Sequence, residues 1–356
     1  MPLDRIEVEG FKTIKELSLD LQSLNVLVGA NATGKSNFIS LFRLLNQMVE
    51  RNFQLFVRQM GGAHTLLYYG IKNTDRIRIH LVFGTKEYEC TWIPTVEDDL
   101  IFEYEAIQSK ENGILKLNAN KETELNKSAD RKDNVASYIL KSLQDGKVYH
   151  FHDTSDTALV KRMGDIHDNR CLKSDASNLA AYLYRLQQHY PEHYQSIREV
   201  VCQVMPFFDD FVLRPLAENE NKIRLEWKEQ ESDYPFLAHQ LSDGTLRFIC
   251  LATLLLQPHL PSFILMDEPE LGLHPYAINV LASLLRSVAQ RTQVILSTQS
   301  VSLLNQLSPE NVLIVERKNK ATVIKRLDPE ELSTWLEEYT LGELWEKNVL
   351  GGRPSR

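Results

Sequence analysis

The stretch Gly29-Ala30-Asn31-Ala32-Thr33-Gly34-Lys35-Ser36 fits the phosphate-loop pattern G-x-x-x-x-G-K-[ST] at every fixed position. Such a loop must leave a buried strand and open a helix, and both flanks comply. Leu24-Asn25-Val26-Leu27-Val28 is an apolar run of strand length, and residues 37–45 carry apolar side chains at helical spacing. The glycines let successive backbone N–H groups turn inward around a phosphate, and the helix N-terminus adds roughly half a positive charge facing it. The expected nucleotide contacts are therefore Gly29, Asn31, Ala32, Thr33, Gly34, Lys35, Ser36 and Asn37. Lys35 would reach the β- and γ-phosphates, and Ser36 would ligate Mg²⁺. The plain alternative is a glycine-rich strand-to-helix turn without a ligand.

The 356 residues leave room for one large domain with an insertion, or for two smaller ones, and 43% hydrophobic with 25% charged residues is an ordinary globular balance. A net charge of −8 gives no global basic field for nucleic acid, although a local basic groove averages away in such a sum. Cys90, Cys171, Cys202 and Cys250 form no C-x-x-C pair, which predicts reduced, buried thiols rather than a metal centre. The longest apolar run, residues 248–256, is too short to span a bilayer, and no N-terminal signal pattern is present. The expectation is a cytoplasmic protein without a membrane partner.

Around the loop, residues 5–8 and 17–21 read as strands that begin the same sheet, and alternation at 76–83, 88–93 and 101–107 predicts an antiparallel meander. Residues 109–134 are rich in Lys, Asn and Glu and read as an exposed loop or frayed hairpin. Helical patterns follow at 135–143, 179–190 and 192–204, the last with Pro191 at its start, and then a hairpin at 211–215 and 222–227. The organisation predicted is an α/β core in two halves, 1–94 and 240–356, with a β/helical lobe, 95–239, inserted between them. No sustained heptads are present, which excludes a long coiled coil.

Two further motifs carry chemistry. Ser262-Phe263-Ile264-Leu265-Met266-Asp267-Glu268-Pro269-Glu270 is a buried strand that delivers acids at its C-terminal end, where α/β sheets bind ligands. Asp267 would hold Mg²⁺ through its water shell, and Glu268 would act as general base on the attacking water. Leu241-Ser242-Asp243-Gly244-Thr245-Leu246-Arg247 precedes an apolar helix, so Ser242, Gly244 and the free N–H groups of the helix start make a second anion site. If the two anion sites lie on opposite edges, one ATP cannot use both within a monomer, and an ATP-dependent homodimer resolves the conflict.

Together with Gly272-Leu273-His274-Pro275, these three motifs make the chain resemble the ABC-type ATPases of the RecF, SMC and OLD branch. It looks closest to the bacterial stand-alone ATPases named AAA-family ATPases, whose pattern includes Val148-Tyr149-His150-Phe151-His152-Asp153-Thr154-Ser155 and Gly342-Glu343-Leu344-Trp345. The resemblance implies a P-loop ABC-type core with a mostly parallel sheet, an antiparallel β subdomain and an inserted α-helical lobe. It implies ATP and Mg²⁺ as ligands, Glu268 as catalytic glutamate, residues 271–275 as a D-loop at the dimer interface, and Phe11 and Lys12 beside the nucleotide.

The sequence departs from that pattern at the switch position, where many relatives have histidine and this chain has Gln299. Glutamine can hydrogen-bond a γ-phosphate but cannot carry a proton or a positive charge, so slow or partner-dependent turnover is expected. For the Q-loop glutamine that would approach the metal, Gln59 and Gln47 both compete, with Gln59 preferred. His150 and His152 share a strand face and invite a metal reading, but no further ligand spacing supports one.

Three functions fit the sequence. One is an ATPase that dimerises around ATP and signals its nucleotide state to a separate effector or to nucleic acid, as relatives do in anti-phage defence or DNA maintenance. The others are a nucleotide-gated scaffold with little turnover and an ATPase that binds DNA ends directly.

Overall fold

The apolar run ahead of the phosphate loop is a fully buried strand, and its neighbours decide where the loop points. The computed structural model describes residues 2–131 and 133–352. The chain opens with β1 (Arg5–Phe11) and β2 (Ile14–Asp20), then β3 (Leu24–Val28) and α1 (Lys35–Val49) on either side of the loop. Helices α2 (Phe53–Gln59) and α3 (Ala63–Leu66) lead to β4 (Ile77–Phe83), β5 (Lys86–Pro94), β6 (Leu100–Ser109) and β7 (Gly113–Lys116). Next come α4 (Leu125–Asp130), α5 (Asn134–Asp145) and β8 (Lys147–Tyr149). A lobe follows with β9 (Gly164–Asp165), α6 (Leu179–His189) and α7 (Pro191–Val204), then β10 (Phe208–Phe211), β11 (Lys222–Ile223), β12 (Glu226–Glu229) and β13 (Phe236–Leu237). The last third alternates helix and strand: α8 (Asp243–Leu256), β14 (Phe263–Asp267), α9 (Pro275–Val288), β15 (Gln293–Thr298) and α10 (Val301–Leu304). It closes with β16 (Val312–Lys318), β17 (Ala321–Arg326), α11 (Pro329–Leu336) and α12 (Leu341–Glu346).

The central sheet has the order β17-β16-β3-β15-β14-β8, parallel throughout except for the β16–β17 hairpin. Both faces of a parallel sheet are covered, so its strands alternate between two cores. Val26, Ile264, Met266, Val294 and Leu296 face the core shared with α8, α9 and the inserted lobe. Leu27, Phe263, Leu265, Ile295 and Leu313 face the core shared with α1 and the antiparallel sheet β2-β1-β4-β5-β6-β7. The fold is therefore α/β, with a mostly parallel sheet, an antiparallel sheet and a helical lobe. No helix among the described residues is long and apolar enough to cross a membrane.

Several sequence expectations change. β1 and β2 belong to the antiparallel sheet, not to the sheet of β3, because β1 pairs with β2 on one side and β4 on the other. β5 and β6 form a hairpin across residues 94 and 95, so the boundary placed there runs through one sheet. β8 completes the edge of the central sheet beside β14, and the chain leaves the core only after it. Residues 109–134 are less open than their composition suggests. Leu125 is fully buried, Glu122 accepts the N–H groups of Phe53 and Gln54 at the start of α2, and Glu105 accepts that of Glu124. The hairpin expected at 211–227 is shifted: β10 pairs with β12, while Lys222 and Ile223 pair with β9. Of the four free thiols, Cys90 and Cys250 are buried and Cys171 is exposed.

Candidate functional site

Register assembles the site. Ser297 on β15 lies opposite Leu27 on one side and Asp267 on the other, so β3, β15 and β14 end at nearly one level. The phosphate loop, Gln299 and Glu268 therefore leave the same sheet edge side by side.

Backbone constraints hold the loop. Gly34 has φ +114°, and a Cβ there would overlap the Thr322 hydroxyl, so only glycine fits. Thr322 in turn donates to Thr33 O at 2.8 Å and bonds Thr13 Oγ1 at 2.7 Å, while Asn37 Nδ2 donates to Thr13 Oγ1 at 2.8 Å. β17 and the β1–β2 turn thus support the loop from beneath. Lys35 is only 5% exposed, and its Nζ donates to Gly29 O at 2.7 Å and Ala30 O at 3.0 Å. Burial pulls its pKa down, and Glu268, Asp267 and Glu270 push it back up. Asn31, Ala32 and Ser36 are exposed on the loop and at the helix start. Lys12, in a left-handed conformation, donates to Ser40 Oγ at 2.9 Å and flanks α1 near the loop; burial, then Arg43, lowers its pKa.

Beyond the loop stands an acidic row. Asp267 accepts the Ser297 hydroxyl, Glu268 accepts Gln299 Nε2, and Glu270 accepts the Thr298 hydroxyl, so the end of β15 and the residue just after it hold all three acids. Glu268 has φ +44°, a left-handed conformation that costs a side chain of this type on the order of 1–3 kcal/mol. Its N–H is held by Ser297 O at 3.0 Å. Glu270 is buried, which raises its pKa, and its Oε2 has no hydrogen-bond partner among the described residues. A hydroxyl at Ser36 and a carboxylate at Asp267 are hard oxygen donors of the kind Mg²⁺ takes, so the residues present fit that ion.

The residues expected to make the second anion site lie at the start of α8. Ser242 caps α8 by accepting Thr245 N–H at 3.1 Å, and a Cβ on Gly244 would overlap Gly272 O. Helix α8, the signature helix of the ABC-type pattern that Ser242-Asp243-Gly244 resembles, thus packs directly on residues 271–275. Arg247, buried on that helix, donates to Leu271 O, to Phe151 O at 3.0 Å and to His152 O at 3.2 Å. His152 Nε2 lies 2.7 Å from Asp267 O, and its ring stacks on His150 with centroids 4.2 Å apart and planes within 6°. Burial, then His152, lowers the His150 pKa.

The two glutamines weighed for the metal are not brought here. Gln47 donates to Glu50 on α1, and Gln59 is exposed at the end of α2, beside Arg58 that pairs with Asp99. No hydrogen bond among the described residues joins either to the site. The segment that reaches Asp267 is His150-Phe151-His152, because β8 is the strand beside β14. Sequence reading left that segment, Arg247 and Ser297 without a role in the site. Their placement depends on strand order, which periodicity does not encode.

Residues 24–305 match the family described as "AAA domain, putative AbiEii toxin, Type IV TA system". The chain belongs to that family. The solved structures it resembles include SMC head domains, and they agree on the fold. The SmcHead bound to the C-winged helix domain of ScpA superposes with a TM-score of 0.60 at 16% identity, covering 94% of this chain and 100% of that one. The Smc head domain with an extended coiled coil bound to the C-terminal domain of ScpA, from Pyrococcus furiosus, gives 0.55 at 14% identity, covering 95% and 99%. Among curated proteins, YbjD of Escherichia coli K12, itself uncharacterized, is 23% identical over 94% of this chain and 65% of its own length. The phosphate import ATP-binding protein PstB of Malacoplasma penetrans is 29% identical over 33% of this chain and 41% of its own. The chain thus spans less than two thirds of either curated relative.

Proposed function

We propose that the protein binds Mg·ATP at the phosphate loop and hydrolyses it, with the γ-phosphate closed over by the signature helix of a second copy. The observation that carries this reading is the convergence of Lys35, Ser36, Asp267, Glu268 and Gln299 at the ends of three adjacent parallel strands. Ser36 and Asp267 would hold magnesium, which would supply neutralisation of the phosphate charge when bound. Lys35 fixes the γ-phosphate from the loop side. Glu268 takes a proton from the water that adds to the γ-phosphorus as the bond to the bridging oxygen breaks, which yields ADP and phosphate. Gln299, which touches Glu268, orients that carboxylate.

In this dimer each copy would complete the other's site, with Ser242 and Gly244 at the start of α8 facing the second copy's γ-phosphate. The inserted lobe is attached through β8 and α8, both at the site, and is suited to pass the nucleotide state to a separate effector or to nucleic acid. A second reading, a nucleotide-gated scaffold, is favoured by Gln299 where a proton-carrying side chain would stand.

Phosphate release from purified protein tests the proposal. The parent should turn over ATP, Lys35→Ala should lose nucleotide binding, and Glu268→Gln should bind while turning over about 10²–10⁴-fold more slowly. Binding without turnover by the parent would favour the scaffold, and full turnover by Glu268→Gln would remove the assigned base.

A further inference from the structure

We propose that His152 is a positioning residue for the two acids of the site: it clamps the single peptide that joins Asp267 to Glu268. This deepens the ATPase reading above and rests on it. The carbonyl of Asp267 can only accept, so His152 Nε2 carries the proton of this 2.7 Å bond and donates it. The N–H of the same peptide donates to Ser297 O at 3.0 Å, and Ser297 Oγ lies 3.4 Å from it. Both ends of one peptide plane are therefore held, by elements from opposite sides of β14.

That plane needs holding. The residue after it, Glu268, is in the left-handed region at φ +44° without being glycine, and such a conformation persists where surrounding contacts over-determine it. Rotation of the plane would swing the Asp267 and Glu268 carboxylates together, one away from the metal and the other away from the water. On the β15 side the restraint is part of the sheet. On the β8 side it is one imidazole.

The imidazole is itself fixed. β8 runs parallel to β14 with Met266 opposite Tyr149, which brings the next residues alongside Asp267. His150 N–H donates to Ser174 O at 2.8 Å, and the His150 ring stacks flat on that of His152. Arg247 grips the carbonyls of Phe151 and His152 from the signature helix and Leu271 O from the loop after Glu270. A shift of α8 is thereby transmitted to His152 and to the peptide between the acids. The inserted chain lies between β8 and α8, so both of its attachments to the core adjoin this peptide.

The test compares the parent with His152→Ala and His152→Gln in three readouts. These are steady-state turnover, KM for ATP, and the magnesium concentration that half-saturates binding of a fluorescent ATP analogue. Thermal melts confirm that each variant is folded. Removal of a group that orients a metal ligand costs on the order of 10–100-fold, so His152→Ala should lose that much kcat with KM within about threefold. Its magnesium half-saturation should rise by a similar order. His152→Gln, whose amide can donate to the same carbonyl, should recover most of both losses. Parent-like kcat and magnesium dependence in His152→Ala would overturn the proposal, as would equal losses in both variants with magnesium dependence unchanged. If the parent binds the analogue without turning it over, the hydrolysis reading fails while the magnesium titration still decides for or against His152. A parent that does not bind the analogue overturns both.

Discussion

Lys35 and Glu268 show how little of a site depends on the residue alone. Lysine is ordinarily solvated and glutamate ordinarily avoids positive φ, yet one is buried against two carbonyls and the other is held at φ +44°. The same holds for Gly34. Gly34→Ala would force a methyl group into the Thr322 hydroxyl at φ +114° and displace the loop. We predict at least about a hundredfold loss of nucleotide affinity, equivalent to roughly 2.7 kcal/mol, in titrations with a fluorescent ATP analogue. Gln299→Ala would release one oxygen of Glu268, and turnover should fall about tenfold with binding retained. The motif residues could be singled out in the sequence because the phosphate-loop pattern fixes their spacing. His152 was not, because its partner Asp267 is 115 residues away and the link is a backbone carbonyl.

At the scale of elements, pairing decides what composition leaves open. The polar stretch 109–134 reads as a loose loop, yet Glu105 on β6 gathers Tyr88 OH at 2.7 Å, Thr123 Oγ1 and Glu124 N–H at 2.9 Å around one buried carboxyl. Burial raises the Glu105 pKa more than these donors lower it. A raised carboxyl pKa means that the fold favours the protonated form. Its contribution to stability is therefore complete below the unfolded-state pKa and is lost as pH rises through the folded one. Glu105→Gln removes that titration. The melting temperature of the variant should accordingly gain on that of the parent as pH rises from 4 to 8, by about 2–4 °C for each kcal/mol regained. A constant difference across that range would contradict the assignment.

Gly244→Ala acts on two elements at once, since its methyl group would meet Gly272 O and push α8 off the loop before α9. Turnover should drop by about tenfold or more while nucleotide binding at the phosphate loop of the same copy survives. The helices at 179–204 were legible from apolar spacing and from Pro191 at the helix start. The boundary at 95 cut the meander that the alternation at 88–93 and 101–107 had already indicated, for β5 pairs with β6 and β6 with β7 in one sheet.

For the whole molecule, the α/β class with a mostly parallel sheet and an antiparallel one was legible in the sequence, and the two cores lie on either side of the central sheet. The attachment of the lobe was not readable. It depends on β8, three residues long, taking the sheet edge beside β14, and on Arg247 bridging the lobe entrance to the signature helix. In the ATP-bound dimer we propose, Ser242 on α8 of one copy would close over the γ-phosphate held by Lys35 on α1 of the other, with the exposed Leu271 and Tyr276 at that contact.

Light scattering on Glu268→Gln, with and without Mg·ATP, tests this account most directly. A 41.0 kDa species that doubles in mass only when Mg·ATP is present is the predicted result. A mass unchanged by Mg·ATP, in protein shown to bind the nucleotide, would contradict it.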